Sequence, residues 1–227
     1  VHPPSLYHGG GRGERRRDSS RYSDPRTSVR ALSPGAHVKA QMAEQQGTRA
    51  SSSLCDQLQI TTEELQTRLA FLSFGEQDAR NLVEIRDVIA SYIDEIIGEF
   101  YDHLLQFEEL RKILADPALV ERLKESQRRY LFSLGQLGDA AEYAEARLRI
   151  GLAHERVGLK QKWHLGAYHK LFELILQRIA VRYSRDANRL SSLVLTLNKI
   201  ITLDEIFVVE TYYHATMQRL EDSLCQL

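Results

Sequence analysis

From Thr61 to about Leu220, apolar residues return every three or four positions and almost nowhere alternate one by one. That spacing is the period of an α-helix, and it excludes a sheet-based fold, whose strands need a period of two. The stripes are distinct enough to place helices. Thr61-Thr62-Glu63-Glu64 opens a short one carrying Leu65, Leu69 and Leu72, with Thr61 and Glu64 at capping-box spacing. Phe74 to Asp78 interrupts it and starts the next stripe, Leu82, Ile85 and Ile89, which continues through Ile93, Ile96, Ile97, Phe100, Tyr101 and Leu104 as two helices or one bent one. Asp116-Pro117 is a strong helix start, since aspartate caps and proline fits the first helical position. The helix it opens ends at Gly135 to Gly138. Further helices are expected over Ala140 to Val157, Trp163 to Tyr183 and, longest of all, about Asn188 to Leu220. The fold class expected is all-α.

At 227 residues and 43% apolar content the chain can bury one ordinary core and still carry extensions. Residues 1 to 41 hold eight Lys/Arg against three Asp/Glu and are rich in Gly, Pro and Ser, too little apolar surface to offset the entropy of ordering. We assign 1–55 as a disordered, basic, low-complexity extension and 56–227 as the folded domain; the alternative is that Met42-Ala43 is the natural start and the residues before it an upstream extension. A nucleic-acid arm is the sharper reading of the tail, but without interleaved aromatic residues it gives way to the extension. The formal charge of −1 gives no electrostatic argument for a nucleic-acid or membrane partner. No apolar run approaches the roughly 18 residues of a membrane span, and no secretory signal is evident. Cys55 and Cys225 have neither redox-motif nor metal spacing and read as free thiols of a cytoplasmic protein. There is no internal repeat, phosphate loop, nucleophile elbow or metalloprotease histidine pair.

One stretch carries chemistry. In Arg147 to Leu159 a single imidazole, His154, stands among apolar neighbours, with Ile150 one turn before and Val157 nearly one turn after. Gly151 and Gly158 flank it and remove bulk, so a flat ligand or another helix can approach closely. On spacing alone, a hydrogen-bonded core histidine is a better explanation of His154 than a metal ligand is.

Five motifs occur in order: Phe74-Gly75-Glu76-x-Asp78, Phe100-Tyr101-x-x-Leu104, Leu123-x-x-Ser126-Gln127-x-x-Tyr130-Leu131, Arg149-Ile150-Gly151-x-x-His154-x-x-x-Gly158-Leu159 and Trp163-x-x-Gly166-Ala167-Tyr168. Together they resemble the sensor globin domain of bacterial globin-coupled sensors, over roughly residues 60 to 220. The resemblance implies a globin fold of the sensor type, with an extra N-terminal helix and long C-terminal helices. It implies haem b (iron protoporphyrin IX) on a proximal histidine that maps onto His154, with the opposite face open to O₂, CO or NO. The distal tyrosine maps onto Tyr101 and the distal-helix positions onto Leu123 and Ser126, where many relatives have threonine at the second. The tryptophan after the proximal helix maps onto Trp163, and His164 replaces the aromatic residue that often follows. Phe100, Phe107 and Ile150 complete the expected haem-contacting set.

The implied function is a haem-based O₂ sensor that relays its state through the last two helices to an output domain or partner, without being an enzyme itself. Those helices are also expected to pair in a homodimer, although an intramolecular core explains the same apolar stripes. Either an excised sensor or a single-domain relative fits the chain's length. The competing class is a haem-free globin-like interaction module of a stress-signalling protein, against which the retention of His154 argues. A globin turning over NO or peroxide is a third class, for which the sequence shows neither a reductase segment nor a distal acid–base pair.

Overall fold

The computed structural model describes residues 53–225; the tail expected to be disordered lies, up to residue 52, outside them. Among the described residues there are nine helices and no strand: α1 (Leu54–Gln57), α2 (Thr62–Phe71), α3 (Glu76–Ser91), α4 (Ile93–Leu104), α5 (Glu108–Ile113), α6 (Pro117–Phe132), α7 (Ala140–Arg156), α8 (Gln161–Arg182) and α9 (Ala187–Leu224). The α1 helix straddles the boundary placed at 55/56, and Ser53 starts it with a reciprocal cap to Asp56. It is held to α7 by the Cys55 backbone N–H, which donates to Glu145 at 3.0 Å.

The local signals act as their chemistry requires. Thr61 accepts from the Glu64 N–H at 3.2 Å, and Asp116 from the Ala118 N–H at 2.9 Å with Pro117 following at the first helical position. Asp139 and Asp186 cap α7 and α9 in the same way, each at 2.9 Å. The long stripe from Leu82 to Leu104 is two helices: Tyr92, at φ −128° and ψ 19°, leaves the helical region and ends α3. The short α5 has no periodic stripe of its own, and its extended cap residue Phe107 turns the chain between α4 and α6.

The core sits around the first two thirds of α9, which packs against α3, α7 and α8. Leu193, Leu197, Ile200, Leu203, Phe207 and Val208 on α9 are wholly buried and meet Leu82, Ile85 and Ile89 of α3, Leu148 of α7 and Ile175 of α8 in one apolar cluster. Much of the last helix's stripe is therefore used within the chain. Its C-terminal part differs, since Val209, Tyr213, Met217, Leu220 and Leu224 are exposed. Gly151 lets α7 approach α9: a Cβ there would lie 3.0 Å from the Thr211 side chain and 3.3 Å from the Val208 backbone. Gly158 has another task, ending α7 in the left-handed region at φ +72° with open space around it. Of the two uses open to these glycines, the structure assigns Gly151 to helix approach. No described helix is long and apolar enough to cross a membrane.

Candidate functional site

Between α4, α5, α6, α7 and α8 lies a cavity of about 320 Å³, within the range that holds organic ligands. It is largely apolar, walled by residues such as Phe100, Leu104, Leu110, Leu123 and Ile150, and a few polar groups reach it. Seven of the eight residues singled out in the sequence line it: His154, Tyr101, Leu123, Ser126, Trp163, Phe100 and Ile150.

His154 enters from the last turn of α7. Its Nδ1 lies 2.8 Å from the carbonyl oxygen of Ile150, one turn earlier. A carbonyl only accepts, so the proton belongs on Nδ1, and Nε2 keeps its lone pair. Nε2 has no hydrogen-bond partner among the described residues. Burial lowers the affinity of this ring for a second proton, outweighing the opposing pull of the Ile150 carbonyl. The result is a neutral imidazole, locked in orientation, with a free donor nitrogen.

Tyr101 lies at the C-terminal end of α4, 5% exposed, its ring edge-to-face with Phe100 at 5.5 Å. Burial first, and the Glu121 carboxylate second, push its phenol up to about 12, so it stays protonated. Its hydroxyl has no hydrogen-bond partner among the described residues and remains available as a donor. On α6, Leu123 is half-buried and packs against the core. Ser126 sits at the exposed rim, its hydroxyl accepting from Arg129 at 3.0 Å. Trp163, at the start of α8, donates its indole N–H to Glu109 at 3.0 Å, which fixes the ring across the mouth between α5 and α8. That bond and one from Lys160 hold the Glu109 carboxyl down at about 2. Phe107 is the residue not on the wall. From the extended turn before α5 it packs behind Trp163 at 5.0 Å and against His103 at 5.3 Å.

Two parts of the site were not singled out in the sequence. His164, read there only as a departure from pattern, lines the cavity with its ring centre 4.1 Å from that of His154. It is 5% exposed, and burial first, then His154, push it down to about 3. It stacks on Tyr168 at 5.4 Å and 6°, one helical turn later on the same face of α8. The second part is a buried polar knot beside the cavity. Asp204 of α9 accepts from Tyr143 at 2.6 Å, from Tyr130 at 2.8 Å and from the Arg147 Nε at 3.1 Å. Arg147 also donates to the Ser133 hydroxyl and carbonyl at 3.1 and 3.2 Å. Burial raises the Asp204 carboxyl, against the pull of Arg147 and both phenols. Tyr130 belongs to both parts, because it lines the cavity and meets Tyr168 edge-to-face at 6.1 Å. The signal available in the sequence was an aspartate on the apolar stripe of the last helix, four residues after Ile200 and four before Val208.

The helix arrangement and the half-buried histidine at the end of α7 define a sensor-type globin fold. Over 65% of this chain and 96% of its own length, the globin domain of a Geobacter sulfurreducens globin-coupled sensor superposes with a TM-score of 0.61 at 22% identity. The heme-based aerotactic transducer HemAT of Halobacterium salinarum is 29% identical over 180 residues, which is 75% of this chain and 37% of HemAT. The chain thus spans little more than a third of that relative's length. The Protoglobin family profile matches residues 61–218. The chain belongs to the Protoglobin family, in keeping with the globin-coupled sensors that its motifs resemble.

Proposed function

We propose that this chain is a haem-based gas sensor, holding haem b through His154 and taking O₂ in the cavity, with CO and NO as further ligands. The observation that carries the reading is the His154 ring: Nδ1 tied to the Ile150 carbonyl, Nε2 free, and an apolar cavity in front of it. The residues present fit haem. A metal-ligating imidazole needs this tautomer and this kind of second bond. Among the described residues no group of three or more His, Cys, Asp or Glu side chains converges to hold a bare ion. A porphyrin brings most of its iron's ligands and asks the protein for one. When bound, haem supplies an iron with an open face for a diatomic gas.

The protein's residues then select among gases. Tyr101 offers a protonated hydroxyl in a dry cavity, where a hydrogen bond is stronger than in water. It favours the more polar ligand, O₂ over CO, by on the order of 1 kcal/mol. Leu123 and Phe100 keep water out, and Trp163, braced by Glu109 and Phe107, closes the side between α5 and α8.

The module itself is not an enzyme. It acts in the cytoplasm, where free thiols such as Cys55 and Cys225 persist, and passes its state through α8 and α9 to an output domain or partner. It works as a homodimer, with the exposed stripe from Val209 to Leu224 as the part of α9 left for pairing. Haem reconstitution tests the reading. The purified chain takes up haem in a one-to-one ratio, with a Soret band that shifts on reduction and again on adding O₂ or CO. No uptake overturns the proposal and leaves the haem-free interaction module.

A further inference from the structure

Ligation by His154 leaves a second imidazole on the same wall without a task. His164 is 5% exposed, its Nδ1 is enclosed, and neither ring nitrogen has a hydrogen-bond partner among the described residues. Buried side-chain nitrogens without partners are uncommon, and each calls for an explanation. Stacking does not supply one. The contacts of His164 with Tyr168 (5.4 Å, 6°) and Tyr212 (6.0 Å, 69°) need an aromatic ring, and phenylalanine would make them without stranding the enclosed Nδ1. No hydrogen bond joins His164 to His154 either, although their ring centres are 4.1 Å apart and tilted by 44°. Its place on the cavity wall points to a ligand seated there.

We propose that His164 is a second imidazole able to hold the iron, so that haem is retained by either of two histidines on one wall. The proposal rests on the haem reading above and extends it to a residue that reading does not use. Two features support it. Both rings line the same cavity, so a group held by one lies beside the other. The plane of His164 is set by the parallel Tyr168 ring, so little reordering precedes ligation. The two are not equal. His154 has the Ile150 carbonyl behind it to fix tautomer and direction, and His164 has no such support, so His154 holds the iron first. His164 takes over when that ring is removed.

The experiment uses the full chain as wild type, His154→Ala, His164→Phe and the double variant, each reconstituted with haem. Haem stoichiometry and the iron–imidazole vibration of the ferrous form are the readouts. His164→Phe keeps the wild-type signature. His154→Ala holds haem more weakly, yet retains an iron–imidazole vibration at a shifted frequency. The double variant loses that vibration, and added imidazole restores it if the fold is intact. If His154→Ala shows no iron–imidazole vibration and matches the double variant, the proposal is wrong. His154→Gln, which keeps the bulk of the ring, gives the same comparison should the alanine variant fail to fold. Failure of the haem reading is separate, because then the wild type takes up no haem at all.

Discussion

Removing Arg147 from beneath Asp204 is the sharpest test of what holds the cavity's back wall in place. Asp204 is wholly buried and Arg147 is 2% exposed, so neither charge has water to fall back on. Arg147→Met leaves the carboxylate with two phenol donors and no cation, and it also strands the Ser133 acceptors. Breaking a buried ion pair from one side costs about 3–5 kcal/mol. Asp204→Leu does comparable damage from the other side, leaving a guanidinium and the hydroxyls of Tyr130 and Tyr143 without their shared acceptor. Each single variant thus loses roughly a fifth or more of a stability that for a domain is about 5–15 kcal/mol.

The double variant Arg147→Met/Asp204→Leu should not lose the sum. With both charges gone no desolvated ion remains, and the residual loss is that of two phenols without acceptors, about 1–3 kcal/mol each. The coupling between the two sites is then on the order of 3 kcal/mol. Urea unfolding of the four proteins, followed by far-ultraviolet circular dichroism at fixed pH and salt, measures it directly. Additive losses would refute the argument, since they would mean that Arg147 and Asp204 act as independent contacts. So would a single variant losing less than about 1 kcal/mol, which would mean that water reaches the pair.

Three further outcomes follow from the site and its frame. Tyr101→Phe speeds O₂ dissociation while leaving CO dissociation nearly unchanged in flash or stopped-flow kinetics; equal effects on both would remove the hydrogen-bond role. In the haem-free protein the Glu109 clamp on Trp163 is present above the ordinary carboxylate value of 4.5 and is lost as pH falls through about 2, because the folded-state value is depressed. Emission from the single tryptophan reports this, and Glu109→Gln should remove the transition; a wild-type midpoint near 4.5 would show that the clamp is absent. Gly151→Val forces α7 away from Thr211 and Val208 and lowers stability by about 1–3 kcal/mol, whereas Gly166→Ala, with nothing within 4 Å of the added Cβ, gains up to about 1 kcal/mol in thermal unfolding.

The helices were legible in the sequence because their burial is one-sided and periodic. Asp116-Pro117 placed a start to within a residue, since a cap is decided by the few residues around it. Where the deciding contacts are distant in the chain, the sequence was silent. Nothing near His164 announces that Tyr168 and Tyr212 will enclose it, one from its own helix and one from α9. Phe107 looked like its neighbour Phe100 in composition, yet the turn before α5 carries it behind Trp163 and away from the cavity. Ser126 shares a helix face with Leu123, but its reach stops at the rim, where Arg129 claims the hydroxyl.

Helix α7 shows why a local reading went so far and no farther. Its periodicity told that one face is apolar, not that two faces meet different partners. Ile150, Ala153, His154 and Val157 look into the cavity, while Gly151, one residue from Ile150, touches α9 at Thr211 and Val208. A turn earlier, Arg147 reaches Asp204 on that same helix. The cavity's histidine and the two contacts to α9 therefore sit on one rigid rod within about two turns, roughly 10 Å of helix. On the function proposed above, a movement of His154 along or across the cavity would be passed on, because Gly151 leaves no slack between α7 and α9 and the Arg147–Asp204 pair has no solvent to relax into. It would reach α9 at Asp204, Val208 and Thr211, where the exposed apolar stripe from Val209 to Leu224 begins. A partner seated on that stripe would then meet a helix whose position is set from the cavity side.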